Sequence, residues 1–150
     1  MSAPTLIAEV RADLVQYAPF SQFEPPLLDH LASRLELEYF RHGELIVGPG
    51  PDVPEACFIV RQGVVEVSSP GVDDEPLVTR LVAGDVFPVG SLAAERPTQG
   101  TFRAVGDVFC WRMSRADFDD LSRRSEAWRE FSTHQLGVLL DMSRAQQQAN

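Results

Sequence analysis

The chain has 150 residues, 44% of them hydrophobic and 23% charged, with 11 Pro and 10 Gly; this excludes disordered, collagen-like and coiled-coil rod compositions and fits one packed domain, which at this length buries roughly 68–70% of its extended surface. Its 13 basic side chains, all Arg, stand against 22 acidic ones for a net charge of −9, a field that repels phosphate backbones and anionic bilayers and argues against DNA or membrane partners. Cys57 and Cys110 sit in the apolar runs ACFIV and VFCWRM as small buried hydrophobes rather than a disulfide framework, and with no signal peptide or bilayer-length apolar run the expected compartment is the cytoplasm.

Ile7, Val10, Leu14 and Tyr17 recur at helical spacing behind Pro4, a residue suited to a first turn, so residues 4–16 are predicted to form an amphipathic helix that Pro19 ends. Pro25 and Pro26 open a second helix with Leu27, Leu28, Leu31 and Leu35 as its apolar stripe. From Leu37 to Met113 the pattern shortens to LEYF, ELIVG, ACFIV, GVVEV, PLVTRLV, TFRAV and DVFCWRM, which predicts at least seven strands. They are separated by the turn clusters GPGPDVP (48–54), SSPGVDDEP (68–76) and VGD (105–107), the rhythm of an antiparallel sandwich or jelly roll.

Ser114, with Asp117 three residues on, marks the start of a short helix carrying Phe118 and Leu121. A longer helix starts near Ser125, and Trp128, Phe131, Gln135, Val138 and Met142 lie on one stripe of it. The organisation is therefore N-terminal helices over 1–36, a β-roll over 37–113 and C-terminal helices over 114–150.

Metal enzymes built on jelly rolls cluster His and carboxylate ligands on facing strands. Here His30 and His134 fall on predicted helices and His42 stands alone in a turn, so no metal centre is expected. Ser68, Ser69 and Ser91 have no neighbouring His to act as base. No catalytic residue stands out, and the chain does not read as an enzyme.

The order of two helices, strands, a short helix and a long helix, with the strings PFSQFEPPLLDHLASRL, HGELIVGPG, ACFIVRQGVVEV and LVAGDVF, resembles the cyclic-nucleotide-binding domain family over nearly the whole chain. The resemblance implies a mainly β, double-stranded β-helix (jelly-roll) fold with flanking helices, acting as a regulatory sensor in signal transduction. It also implies a phosphate-binding cassette after the strand ending near Phe87, where a short helix presents N–H groups to the cyclic phosphate.

The family's cassette reads FGELAL…PRAAT, its Glu holding the ribose 2′-hydroxyl and its Arg the phosphate. Residues 87–104 here read FPVGSLAAERPTQGTFRA, which puts Pro88 at the Gly position, Val89 at the Glu and Thr98 at the Arg. Both side-chain ligands are missing. Hydrogen bonds to charged groups contribute about 1.5–3 kcal/mol each, so their loss weakens binding about 10²- to 10⁴-fold and argues against ordinary cAMP recognition.

The candidate ligand-binding residues are Val89, Gly90, Ser91, Leu92, Arg96, Thr98 and Gln99. Gly90 and Ser91 fall at the expected helix start, where their N–H groups and the Ser91 hydroxyl either hold an anion or simply cap a turn. Arg96, two residues before the missing Arg, either reaches the phosphate or pairs at the surface with Glu95 or Asp85.

The cassette string GDVFPVGSLAAERPT is most similar to the N-terminal domain of bacterial proteins that continue into a CBS-domain pair and a nucleotidyltransferase-like region, which implies an excised sensor controlling such a region. Two functions stay open. One is a regulatory sensor for a cyclic nucleotide or other small anion, no cofactor being certain; the other is a ligand-free dimerisation or interaction module with a decayed pocket. In either, the stripe of Trp128, Phe131, Gln135, Val138 and Met142 is expected to pair with its copy in a twofold homodimer.

Overall fold

The computed structural model describes residues 3–70 and 75–135. Helix α1 (Ala3–Leu14) and helix α2 (Pro25–Arg34) flank a 3-10 turn at Phe20–Gln22. Pro25 takes the first helical position of α2, where a missing N–H costs nothing, and Leu28, Leu31 and Ala32 form the buried face. The strands follow as β1 (Glu36–Phe40), β2 (Leu45–Val47), β3 (Ala56–Ser69), β4 (Leu77–Leu81), β5 (Val86–Phe87) and β6 (Thr101–Ser114), with helix α3 (Val89–Ala94) between the last two. Helix α4 (Arg115–Arg124) succeeds β6, and residues 126–135 are helical and are called α5.

The strands pair antiparallel in the order β1-β6-β3-β4, with β2 also on β6 and β5 also on β3. The fold is thus mainly antiparallel β with flanking helices, the class expected from the sequence. The strand count differs: the described residues form six strands, because ACFIV and GVVEV are one continuous β3, TFRAV and DVFCWRM are one continuous β6, and the short β5 at Val86–Phe87 is added. The glycines that read as turns are kinks inside the ladder. Gly63 and Gly106 take φ of +102° and +70°, and the β3–β6 register shifts between Val60 and Val64. A glycine at positive φ lets a strand bulge and coil without leaving its partner.

Side chains alternate across these strands and divide the core in two. Cys57 and Ile59 of β3, with Trp111 and Met113 of β6, pack under the helices against Val10, Leu14, Phe20 and Trp128. Ala56, Phe58 and Val60 point the other way into the roll, beside Phe40, Phe87, Phe102, Val108 and Cys110. Trp111 Nε1 donates to Asp13 Oδ2 at 2.7 Å, which satisfies the buried indole and ties α1 to β6. Both thiols are free and buried. Burial pushes Cys57 well above the usual thiol range and Cys110 up to about 12, so neither is a ready nucleophile.

Two serines set the C-terminal helices. Ser114 Oγ accepts the Asp117 N–H and Ser125 Oγ accepts the Trp128 N–H, each at 3.1 Å. Arg34 of α2 reaches Asp117 of α4 at 3.1 Å and binds the two helices together.

The expected dimer stripe needs correction at its first residue. Trp128 is fully buried in its own chain, ringed by Phe20, Phe23, Phe118 and Phe131 at centroid distances of 5.3–6.5 Å. The bend at Ser125 folds α5 back onto the 3-10 turn, so this indole offers no surface to a second subunit. Phe131 is partly buried against the same cluster and Gln135 is half-buried, while Val138 and Met142 lie outside the described residues. Among the described residues no helix is long and apolar enough to cross a membrane.

Candidate functional site

The cassette segment hangs between the roll's two cores. Val86 and Phe87 pair with Ile59 and Phe58, which aims the chain out of the sheet at Pro88. Pro88 is the N-cap of α3, and its carbonyl accepts the Leu92 N–H at 3.2 Å. The helix therefore begins at Val89, one residue before the expected start, and Ser91 lies buried inside its first turn. It ends at Glu95, a left-handed C-cap with φ 54° and ψ 49°. The Arg96 N–H returns to the Ser91 carbonyl at 3.1 Å and sends the chain towards β6.

The two positions that would carry charged ligands are turned inward. Val89 is 2% exposed and Leu92 3%, both part of the helix-side core. Thr98 is 7% exposed; its Oγ1 accepts the Gly100 N–H at 3.1 Å and lies 3.5 Å from the Gly100 carbonyl. The hydroxyl closes its own loop.

Arg96 is exposed, and its side chain makes no ion pair or hydrogen bond among the described residues. The partners weighed for it are engaged elsewhere: Glu95 lies 3.8 Å from Arg115, and Asp85 Oδ2 accepts the Val82 N–H at 2.7 Å. Gly90 is half-buried beside Ser91 in α3, away from Gln99, which is exposed at the far end of the loop. There Gln99 joins Ser69, Thr101, Pro49 and Pro76 around an open cavity of about 420 Å³, and among the described residues its lining holds no ionisable group. Among the described residues no group of His, Cys, Asp or Glu is placed to hold a metal.

Beneath the cassette, four phenylalanines occupy the roll. Phe40–Phe58, Phe58–Phe87 and Phe87–Phe102 follow at 5.8, 5.5 and 5.0 Å, the last pair nearly parallel at 12°. Sequence reasoning missed this column. Its signal was the placement of Phe87 at the start and Phe102 near the end of the cassette-like text.

The arrangement of roll, short helix and inward loop agrees with a family model for the cyclic nucleotide-binding domain, which matches residues 37–125. The chain belongs to the cyclic nucleotide-binding domain family. A comparison with curated proteins gave no match.

Solved structures of similar fold include the regulatory domain of Toxoplasma gondii PKA co-crystallised with cAMP, at 21% identity and a TM-score of 0.78, covering 87% of this chain and 50% of that one. The regulatory subunit of a cAMP-independent protein kinase A from Trypanosoma cruzi, bound to guanosine, has 19% identity and a TM-score of 0.72, covering 88% of this chain and 51% of that one. A triple variant of the corresponding Trypanosoma brucei subunit, one of whose replacements is Thr to Arg, is bound to cAMP; it has 17% identity and a TM-score of 0.70, covering 88% of this chain and 52% of that one. The chain spans about half the length of these structures, and at such identities the likeness is one of fold.

Proposed function

We propose that the chain is a regulatory sensor domain with a degenerate cassette, one that does not hold cAMP in the family's usual way and instead favours a ligand without a cyclic phosphate, a neutral nucleoside being the chemical class that fits. One observation carries this reading: Val89 and Thr98, at the Glu and Arg positions of the cassette, are both buried, one in apolar packing and the other bonded to its own loop. Neither position supplies a carboxylate for a ribose hydroxyl or a guanidinium for a phosphate, which leaves the exposed Arg96 as the cassette loop's cation. The mouth lined by Ser69, Gln99 and Thr101 offers hydroxyl and amide groups of the kind that read a sugar or a base edge. Support comes also from the Trypanosoma cruzi subunit, described as cAMP-independent and bound to guanosine.

The region under control is proposed to be a CBS-domain pair and nucleotidyltransferase-like segment, on the cassette string alone. A second reading, a ligand-free interaction module, is favoured by the phenylalanine column that occupies the roll. Assembly as a homodimer through the remaining part of the stripe, Phe131, Gln135, Val138 and Met142, is proposed with either reading.

Calorimetry with cAMP, cGMP, guanosine and adenosine separates the two. The sensor reading expects a nucleoside to bind at least about tenfold more tightly than either cyclic nucleotide, a difference of about 1.4 kcal/mol. It also expects Thr98→Arg to raise the affinity for cAMP, because a guanidinium restores a phosphate partner at that position. Low-micromolar cAMP binding by the unaltered protein refutes it. Folded protein that binds none of the four ligands supports the interaction module.

A further inference from the structure

Where α4 gives way to α5, Ser125 is extended (φ −125°, ψ 119°), and the bend faces the start of α2. Between them lies a groove of about 710 Å³, within the roughly 300–1,000 Å³ range of built binding sites. Its floor is apolar: Phe23 is buried, and Leu27 and Ala127 are partly buried against the helix-side core. Its rim is acidic. Glu24, Glu126 and Glu130 are all exposed, and none of the three forms an ion pair among the described residues.

Glu24 holds the N-cap position of α2 without a side-chain hydrogen bond to its first turn, so its carboxylate is not engaged by the helix it precedes. Arg124, the one cation in the lining, has its Nε 3.3 Å from Asp120, a carboxylate that also faces Arg123 at 3.4 Å, so the lining sets three carboxylates against one guanidinium. Glu126 and Glu130 are one turn apart on the same side of α5, about 6 Å between Cβ atoms. Glu24 enters from the other element.

We infer that this groove is the docking site for a basic amphipathic helical segment of a partner protein, a role separate from any ligand at the cassette. An apolar side chain of that segment seats on Phe23, Leu27 and Ala127, and two Arg or Lys one helical turn apart meet Glu126 and Glu130, with a third cation at Glu24. The spacing selects the partner. A small monovalent cation engages one carboxylate and leaves the apolar floor uncovered, whereas a helix presents charge and apolar surface at the same one-turn interval. The net charge of −9 draws a cationic partner to this surface, and the floor supplies the desolvated contact that slows its departure.

Fluorescence anisotropy with a short labelled helical peptide, carrying Leu and Arg at one-turn spacing, tests the inference on the whole chain. A triple variant, Glu24→Gln, Glu126→Gln and Glu130→Gln, is compared with a charge-matched control, Glu9→Gln, Glu36→Gln and Glu75→Gln, whose positions are also exposed. Circular dichroism verifies that both remain folded. The expected result is a loss of about tenfold or more in affinity for the groove variant, against less than about threefold for the control, and a comparable loss for Leu27→Asp. Equal weakening in both triple variants means that only net charge is being read, and overturns the site. Failure of the peptide to bind the unaltered protein overturns it as well. So does spermine binding as tightly as the peptide with the same loss in the groove variant, which assigns the rim to a small polycation.

Discussion

Phe87 and Phe102 stack with ring centroids 5.0 Å apart and planes 12° from parallel, and one leads into the cassette segment while the other leads out of it. The pair closes the base of the segment, so α3 and its loop are fixed by packing below as well as by their own hydrogen bonds. Phe102→Ala is expected to cost about 3–5 kcal/mol in urea unfolding. It should also speed amide hydrogen exchange in α3 more than in α1. Uniform faster exchange across the chain would show that the stack has no particular hold on the cassette.

Thr98 is expected to tolerate Ser far better than Val. Valine matches its shape but strands the Gly100 N–H, a loss of about 1–3 kcal/mol, whereas serine retains the acceptor. Thermal unfolding of the two variants gives the difference directly, and equal midpoints would remove the hydroxyl's role.

Two glycines at positive φ should respond differently to Ala. Gly84 (φ +95°) packs beneath Tyr17, and a Cβ there would collide with the ring, whereas Gly43 (φ +83°) opens onto free space. Gly43→Ala should cost about 1 kcal/mol from backbone strain alone. Gly84→Ala should cost clearly more in the same denaturant titration, because the segment after α1 must also move. Tyr17→Ala in the Gly84→Ala background should recover part of that difference.

Tyr39 donates its hydroxyl hydrogen to Asp107 Oδ1 at 2.6 Å. This hydrogen bond, followed by burial and the Asp107 charge, raises the Tyr39 pKa above the usual tyrosine value of about 10. The folded state thus retains the proton more tightly than the unfolded state. The stabilisation is complete below about pH 10 and is lost as pH rises through the folded value. Ultraviolet titration should show a tyrosine ionising late, and Asp107→Asn should bring that transition back down. An unchanged titration curve in Asp107→Asn would break the assignment.

Legibility in the sequence followed the range of the interactions involved. Pro25 at the first position of α2 and the serine caps at Ser114 and Ser125 could be placed from the text, because each acts within one helical turn of itself. Gly63 and Gly106 could not, since positive φ serves a turn and a bulge alike and only the pairing partner decides between them. The periodicity around Trp128 identified an apolar face but not its cover, which comes from Phe20 and Phe23 at the other end of the chain. At the cassette, Val89 and Thr98 could be seen to lack the family's chemistry, whereas the bond from Gly100 that occupies Thr98 depends on a loop conformation no spacing encodes.

Strands β3 and β6 form a party wall between two rooms, with Cys57 and Ile59 furnishing the helical side while Ala56, Phe58 and Val60 furnish the roll. Neighbours along the chain thus answer to different environments. A one-residue slip of either strand would exchange the contents of both rooms at once, which penalises misregistered states twice over. The same construction makes the wall a short route for mechanical information. A displacement of Phe58 by anything entering the roll reaches Cys57 and Ile59 through a single peptide unit on each side, and from there Trp111, Trp128 and the helices stacked on them.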